Sequence, residues 1–289
     1  MIAYQDIRDV HLEVSTLCNA ACPWCPRTFW GYTYNGGYPE VYMTLGQCQK
    51  ILQEDFVRQL TSVRINGNFG DIVMNPDGAD IVEYLRSANS DLDIQISTNG
   101  GARDREFWKR LARAGVVVNF ALDGLEDTHA LYRQNISWKT VIKNAGIFID
   151  AGGYAEWQMI RFQHNQHQID QARDMSQALG FRGFVLIESV RDTAPVFDRH
   201  GNLSHTLGDY QGETDFKVMF FRKQNDEILL EDIIKDRAPK NKISCETKQL
   251  KSIYIAANGD VSPCCYTGFI HGPMGMDSII RPRTNSWFQ

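Results

Sequence analysis

Cys18, Cys22 and Cys25 place three thiols in the stretch "CNAACPWC", at the spacing C-x3-C-x2-C. Structural zinc closes its tetrahedron with four protein ligands, and no histidine follows close behind, so zinc here would need a distant fourth ligand. A [4Fe-4S] cube bound by three thiolates keeps one iron open for a ligand that is not protein. The two readings differ in what fills the fourth position.

The elements that must carry this loop follow a βα rhythm. Apolar or β-branched runs predict strands near 10–15, 62–66, 93–97, 116–122, 155–162 and 183–188. Helical periodicity falls between them, near 44–57, 78–88, 104–114, 137–151 and 167–179. Six such units with right-handed crossovers curl into a partial (βα)6, TIM-like barrel of the α/β class, with its site in the loops after the strands. Those loops read "CNAACPWC", "NGNFGD", "STNGG", "DGLED" and "HN". After residue 189 the rhythm gives way to a polar connector, and Asn258-Gly259 then predicts a tight type I′ hairpin. The expected division is a barrel over 1–189, a connector over 190–243 and a small β-hairpin unit over 244–289.

The chain has 289 residues, 43% of them apolar, which suffices for a sizeable core without disulfides. A net charge of −5 gives no general attraction to nucleic acid or anionic lipid, so neither is an expected partner. No apolar run approaches a bilayer span and no basic-then-apolar leader opens the sequence, so the expected location is cytoplasmic. In a reducing compartment the seven cysteines read as metal ligands or buried thiols. Cys48, at helical spacing with Leu45, Leu52 and Phe56, reads as a core thiol. His11, His129, His164, His167, His200 and His205 show no paired ligand spacing and read as surface or supporting groups. The aromatic run Phe29, Trp30, Tyr32, Tyr34 and Tyr38 reads as a lid or as packing at the barrel mouth.

The three-cysteine loop, with Trp24 before its last cysteine on a six-unit βα chain, resembles the radical S-adenosylmethionine (SAM) superfamily. The resemblance implies a [4Fe-4S] cluster whose open iron chelates SAM. It also implies reductive cleavage of SAM to a 5′-deoxyadenosyl radical that abstracts a substrate hydrogen, with electrons from a donor such as flavodoxin or ferredoxin. The substrate is an unnamed peptide or small molecule. In the same resemblance Gly67, Asn68, Gly70 and Asp71 surround the methionine amino group, and Ser97 and Asn99 contact ribose and methionine. Asp123 and Arg133 belong to the segment "ALDGLEDTHALYR", where Arg133 matches an arginine that pairs with the SAM carboxylate and Ala121 replaces the usual serine. Asn165 is an adenine or methionine contact or a turn residue. No residue is assigned as catalytic.

Cys245, Gly259 and Cys264, at C-x13-G-x4-C, resemble the opening of the twitch and SPASM auxiliary-cluster modules. That implies a second [4Fe-4S] cluster on Cys245 and Cys264, with Cys265 beside them. Adjacent Cys264 and Cys265 point to opposite faces if extended. The ending "GMDSIIRPRTNSWFQ" is similar to a helical segment that precedes further cysteines in longer relatives. With about eight residues before the first strand, no peptide-docking segment is expected there. A non-catalytic iron-sulfur or zinc-binding scaffold is the alternative reading.

Overall fold

The computed structural model describes residues 2–33, 40–188, 193–209, 211, 212, 214 and 246–265. Its strands are β1 (Asp9–Leu12), β2 (Thr28–Phe29), β3 (Tyr32–Thr33), β4 (Ser62–Ile65), β5 (Asp93–Thr98), β6 (Val117–Ala121), β7 (Tyr154–Ile160), β8 (Gly183–Ile187), β9 (Ala194–Phe197), β10 (Leu203–Leu207), β11 (Ser252–Ile255) and β12 (Val261–Ser262). The helices are α1 (Leu45–Ile51), α2 (Glu54–Gln59), α3 (Gly78–Ala88), α4 (Arg105–Arg113), α5 (His129–Tyr132), α6 (Trp138–Asp150), α7 (Ile169–Ala178) and α8 (Glu246–Leu250).

One sheet of eight strands runs β12-β11-β1-β4-β5-β6-β7-β8, and β1 with β4 to β8 are the six expected parallel strands. Val10, Leu12, Val63, Ile65, Ile94, Ile96, Val118, Phe120 and Trp157 are buried on the helix side with Trp108, Leu111, Val141 and Phe148. Successive side chains of a strand alternate faces, so His11, Arg64, Gln95, Ser97, Asn119 and Glu156 line the other, polar face. Register places Ser97, Asn119 and Glu156 side by side on β5, β6 and β7.

Four features differ from the sequence reading. The helix expected over 44–57 is two, because Leu52, fully buried, leaves helical geometry (φ −103°, ψ 68°). Glu54 and Asp55 then open α2, where acidic groups favour a helix N-terminus. Secondly, the polar connector contains a hairpin: β9 is buried throughout and pairs with β10. Asp198 turns it by accepting the N–H groups of His200 (2.8 Å) and Asn202 (2.9 Å). Pro195 and a four-residue apolar run had hidden it from a periodicity argument.

Thirdly, the β11–β12 turn is not type I′, which needs positive φ at both central residues. Only Gly259 has it (φ 92°), and a three-residue loop closes through Gly259 N–H to the Ala256 carbonyl, 2.9 Å. Positive φ at two successive residues occurs instead at Trp30 (52°) and Gly31 (99°), between β2 and β3. Lastly, β11 pairs in parallel with β1, from Asp9↔Ser252 to Leu12↔Ile255, so the first strand of the C-terminal hairpin extends the barrel sheet. Among the described residues no helix is long and apolar enough to cross a membrane.

Candidate functional site

The chain leaving β1 runs through Glu13 and Ser15 into the cysteine loop, and backbone groups fix the loop's path. Arg27 Nη1 donates to the Cys18 carbonyl (2.9 Å) and the Thr28 hydroxyl to the Cys22 carbonyl (2.8 Å). The Cys25 N–H closes a turn onto the same Cys22 carbonyl at 3.0 Å, and Ala21 N–H reaches the Gln134 carbonyl at 3.1 Å. Arg27 and Thr28 are themselves buried, which makes the loop a rigid frame. Neither was singled out in the sequence.

The sulfurs meet donors from other loops. Asn99 Nδ2 and the Ala20 N–H each lie 3.4 Å from Cys18 Sγ, and Arg133 Nη1 lies 3.7 Å from Cys22 Sγ. Burial pushes the Cys18 thiol up to about 12 and the Cys25 thiol up to about 11, and each also feels the charge of Cys22. Burial raises Cys22 as well, against the pull of Arg133. As they stand these groups are neutral thiols; ionised together they would repel one another and require a strongly cationic partner, which is what a metal centre supplies. Among the described residues no three His, Cys, Asp or Glu side chains converge on a single-ion site. A [4Fe-4S] cube needs no such convergence, since each iron takes its own thiolate. The donor set fits the cluster, with N–H groups at two sulfurs and a buried, unpartnered Trp24 Nε1 on the same loop. Trp24 meets Trp30 edge to face at 4.6 Å. Phe29 is buried and stacks at 6.5 Å on Phe197 of β9, whose N–H bonds the Trp30 carbonyl, so these aromatics pack at the mouth. Tyr34 and Tyr38 lie outside the described residues.

The glycine loop, 66–71, lies directly against the stem of the cysteine loop. A Cβ on Gly70 would stand 1.8 Å from the Ser15 carbonyl oxygen, and one on Gly67 would stand 2.3 Å from the Gly70 oxygen. Only glycine permits that approach. Asp71 is buried with both oxygens engaged: Oδ1 accepts from the Thr98 hydroxyl (2.6 Å) and Val73 N–H (3.1 Å), and Oδ2 from Asn99 N–H (2.7 Å). Burial raises its pKa, and these donors oppose the rise. Asp71 therefore joins the β4 loop to the end of β5 and aims Asn99, whose Nδ2 bridges Asn19 Oδ1 (2.9 Å) and Cys18 Sγ. Ser97 sits half-buried on the polar face. Asn68 donates to the Cys265 carbonyl at 2.9 Å.

Asp123 is fully buried and pairs with Arg133 Nε at 2.6 Å, while its other oxygen accepts the Ile160 N–H, also at 2.6 Å. Arg133 thus reaches Cys22 from a fixed base. Asn165 closes its own loop, taking the Phe162 N–H (2.8 Å) and donating to the Ile160 carbonyl (2.9 Å). Cys264 and Cys265 are half-buried, and Cys245 lies outside the described residues.

Two groups at this site were not legible as such. Glu13 is buried, its Oε1 accepting the N–H groups of Phe69 (2.7 Å) and Gly70 (3.1 Å) and its Oε2 the Tyr254 hydroxyl. An acid inside the apolar run "HLEV" is the one local signal for it. His129, read as a surface or supporting group, is fully buried near Asp123 and Arg133 with both ring nitrogens unpartnered. Burial lowers its pKa from 6.5 to about 4, so it is neutral in the fold and takes a proton on unfolding below pH 6.5. The unfolded state then binds more protons, and stability falls as pH drops from 6.5 towards 4. The loss reaches ~3 kcal/mol at pH 4. His129→Leu makes that limb shallower in urea-unfolding midpoints measured at each pH, leaving the share of His164, which burial likewise lowers to about 4; an unchanged slope would contradict it.

A parallel barrel with three thiols after its first strand, Cys22 buried and Cys18 and Cys25 half-buried, and amide and guanidinium donors at the sulfurs, defines a three-thiolate iron-sulfur protein. The sequence profile of the Radical SAM superfamily matches residues 12–160, more than half the chain, and the protein belongs to that superfamily. No curated protein matches it in sequence. Among solved structures it is similar to SuiB of Streptococcus suis, with a TM-score of 0.61 at 15% identity, over 91% of this chain and 61% of that one. SuiB bound to S-adenosylmethionine matches with a TM-score of 0.58 at 16% identity, over 89% and 60%. The AdoMet-bound structure of anSMEcpe matches with a TM-score of 0.56 at 16% identity, over 90% and 72%. The chain spans about three-fifths of the length of SuiB.

Proposed function

We propose that this protein is a radical SAM enzyme that cleaves SAM reductively and abstracts a hydrogen from a polar substrate. The observation that carries this is the framed trio Cys18, Cys22 and Cys25 with Asn99 and Arg133 at its sulfurs. When bound, the [4Fe-4S] cluster supplies the electron that converts SAM to methionine and the hydrogen-abstracting 5′-deoxyadenosyl radical. The protein's own groups bind and orient. The three cysteines hold the cluster, and the Asn99 amide and Arg133 cation stabilise negative charge on sulfur. Trp24 and Trp30 keep water from the loop. Loop 66–71 receives the methionine amino group, and Ser97 and Asn99 receive ribose and methionine.

Below them the polar row Ser97, Asn119 and Glu156 offers hydroxyl, amide and carboxylate to the substrate. SuiB has been solved with its precursor peptide SuiA and anSMEcpe with a Cp18Cys peptide, and a peptide side chain is the substrate class we favour here. Residues 1–189 form the barrel, 190–243 a connector and 244–289 an auxiliary unit, with a second cluster on Cys245, Cys264 and Cys265. A reduced flavodoxin or ferredoxin is the electron donor, and a cytoplasmic setting keeps the thiols reduced.

Anaerobic reconstitution with iron and sulfide, then reduction with SAM, tests this reading. The holoprotein releases 5′-deoxyadenosine even without substrate, whereas a scaffold protein releases none. Iron content falls from roughly eight to roughly four per chain in Cys264→Ala, with SAM cleavage retained. Unchanged iron in that variant removes the auxiliary cluster from the assignment.

A further inference from the structure

The loop read above as the seat of the SAM amino group is held from two sides. One is the cysteine stem, through Asp71 N–H to the Leu17 carbonyl at 2.9 Å. The other is the far edge of the sheet. Glu13 takes the N–H groups of Phe69 and Gly70 on one carboxylate oxygen, so two successive amides form a nest around a buried anion. Its second oxygen takes the hydroxyl of Tyr254, which is buried on β11. Burial pushes the Glu13 pKa up, and Tyr254, Phe69 and Gly70 oppose that rise. A carboxylate so placed strongly requires each of its donors.

Three further contacts run the same way. His11 Nε2 meets the Asn66 carbonyl, and its ring stands edge-on to Tyr254 at 5.1 Å. Asn68 Nδ2 donates to the Cys265 carbonyl at 2.9 Å. The C-terminal hairpin therefore touches loop 66–71 both through Glu13 and directly.

Peptide geometry gives the nest a consequence on its other side. The Asn68–Phe69 and Phe69–Gly70 links are trans, and in a trans peptide the carbonyl points opposite to the N–H of the same plane. With both N–H groups turned to Glu13, the Asn68 and Phe69 carbonyls turn away from it. Carbonyl oxygens on that far side are acceptors suited to an ammonium.

We infer that Glu13 and Tyr254 are positioning residues for SAM: strand β11, through the Tyr254 hydroxyl, fixes the carboxylate that orients the glycine loop's carbonyls. The inference rests on the reading that loop 66–71 receives SAM. In the full-length, anaerobically reconstituted protein, equilibrium dialysis with radiolabelled SAM before reduction tests it without turnover. Tyr254→Phe fills the same space and weakens SAM binding about tenfold, the scale of one hydrogen bond to a charged group. In the cleavage assay KM for SAM rises by a similar factor, while kcat changes less than KM. Glu13→Gln, whose amide oxygen still accepts the loop N–H groups and whose NH2 donates to Tyr254, recovers most of the affinity lost in Glu13→Leu. Asn68→Ala, which leaves no buried charge behind, weakens binding a few-fold. Parent-like affinity in both Tyr254→Phe and Asn68→Ala overturns the inference. Failure of the SAM reading is visible elsewhere, since the parent holoprotein would then retain no SAM.

Discussion

Cys18→Ala, Cys22→Ala and Cys25→Ala each bring 5′-deoxyadenosine release down to background, a loss of more than about a thousandfold, because the remaining protein groups have no redox chemistry of their own. The fold survives these changes for a specific reason. The shorter bonds that shape the loop use the carbonyls of Cys18, Cys22 and Cys25, which alanine keeps; the sulfurs take only the longer contacts from Ala20, Asn99 and Arg133. Cys48→Ala is the matched control. Its thiol is buried in α1 and pushed up to about 12 by burial, away from the three-cysteine loop. That variant keeps cleavage activity and loses ~1–2 kcal/mol of stability from the small cavity. Iron content, visible absorbance and 5′-deoxyadenosine yield, measured together, check both halves. Full cleavage by any one of the three loop variants would sink the assignment.

The second large effect concerns the pair behind the loop. Asp123→Ala strips a fully buried carboxylate from Arg133, whose side chain is only 18% exposed. It also leaves the Ile160 N–H without its acceptor. Removing one partner of a buried ion pair costs more than the pair's net contribution, because the other charge stays buried; about 3 kcal/mol is expected. Arg133→Met in the same chain restores part of the loss, and the double-mutant cycle isolates the coupling. Urea unfolding of the metal-free protein reads the result. A shift below ~1 kcal/mol in Asp123→Ala would show that the pair behaves like a surface bridge.

Much of the barrel was legible because its signals are local. Strand and helix periodicities are written in runs of a few residues, and four of the five expected helices and all six strands stand within a few positions of their sequence limits. The cysteine spacing is equally local. What failed was local in appearance but decided at a distance. "NG" at 258–259 has the composition of a type I′ turn, yet Asn258 Oδ1 accepts the Asp260 N–H (3.1 Å) in a loop where only glycine adopts positive φ. Leu52 continues the helical pattern, but its backbone leaves helical geometry where its side chain is buried. Asp71 has the chemistry to accept from an ammonium, and the fold directs its oxygens to Thr98, Asn99 and Val73 instead.

By itself the sequence determined the class of fold, the three-thiolate loop and the glycines beside it, since each depends on residue types a few positions apart. The tertiary structure alone decided which donors face the sulfurs and what holds the glycine loop. Asn99 lies 81 residues from Cys18, Arg133 111 from Cys22, and Tyr254 241 from Glu13. Their meeting follows from strand register and sheet order, and no periodicity within one element encodes either.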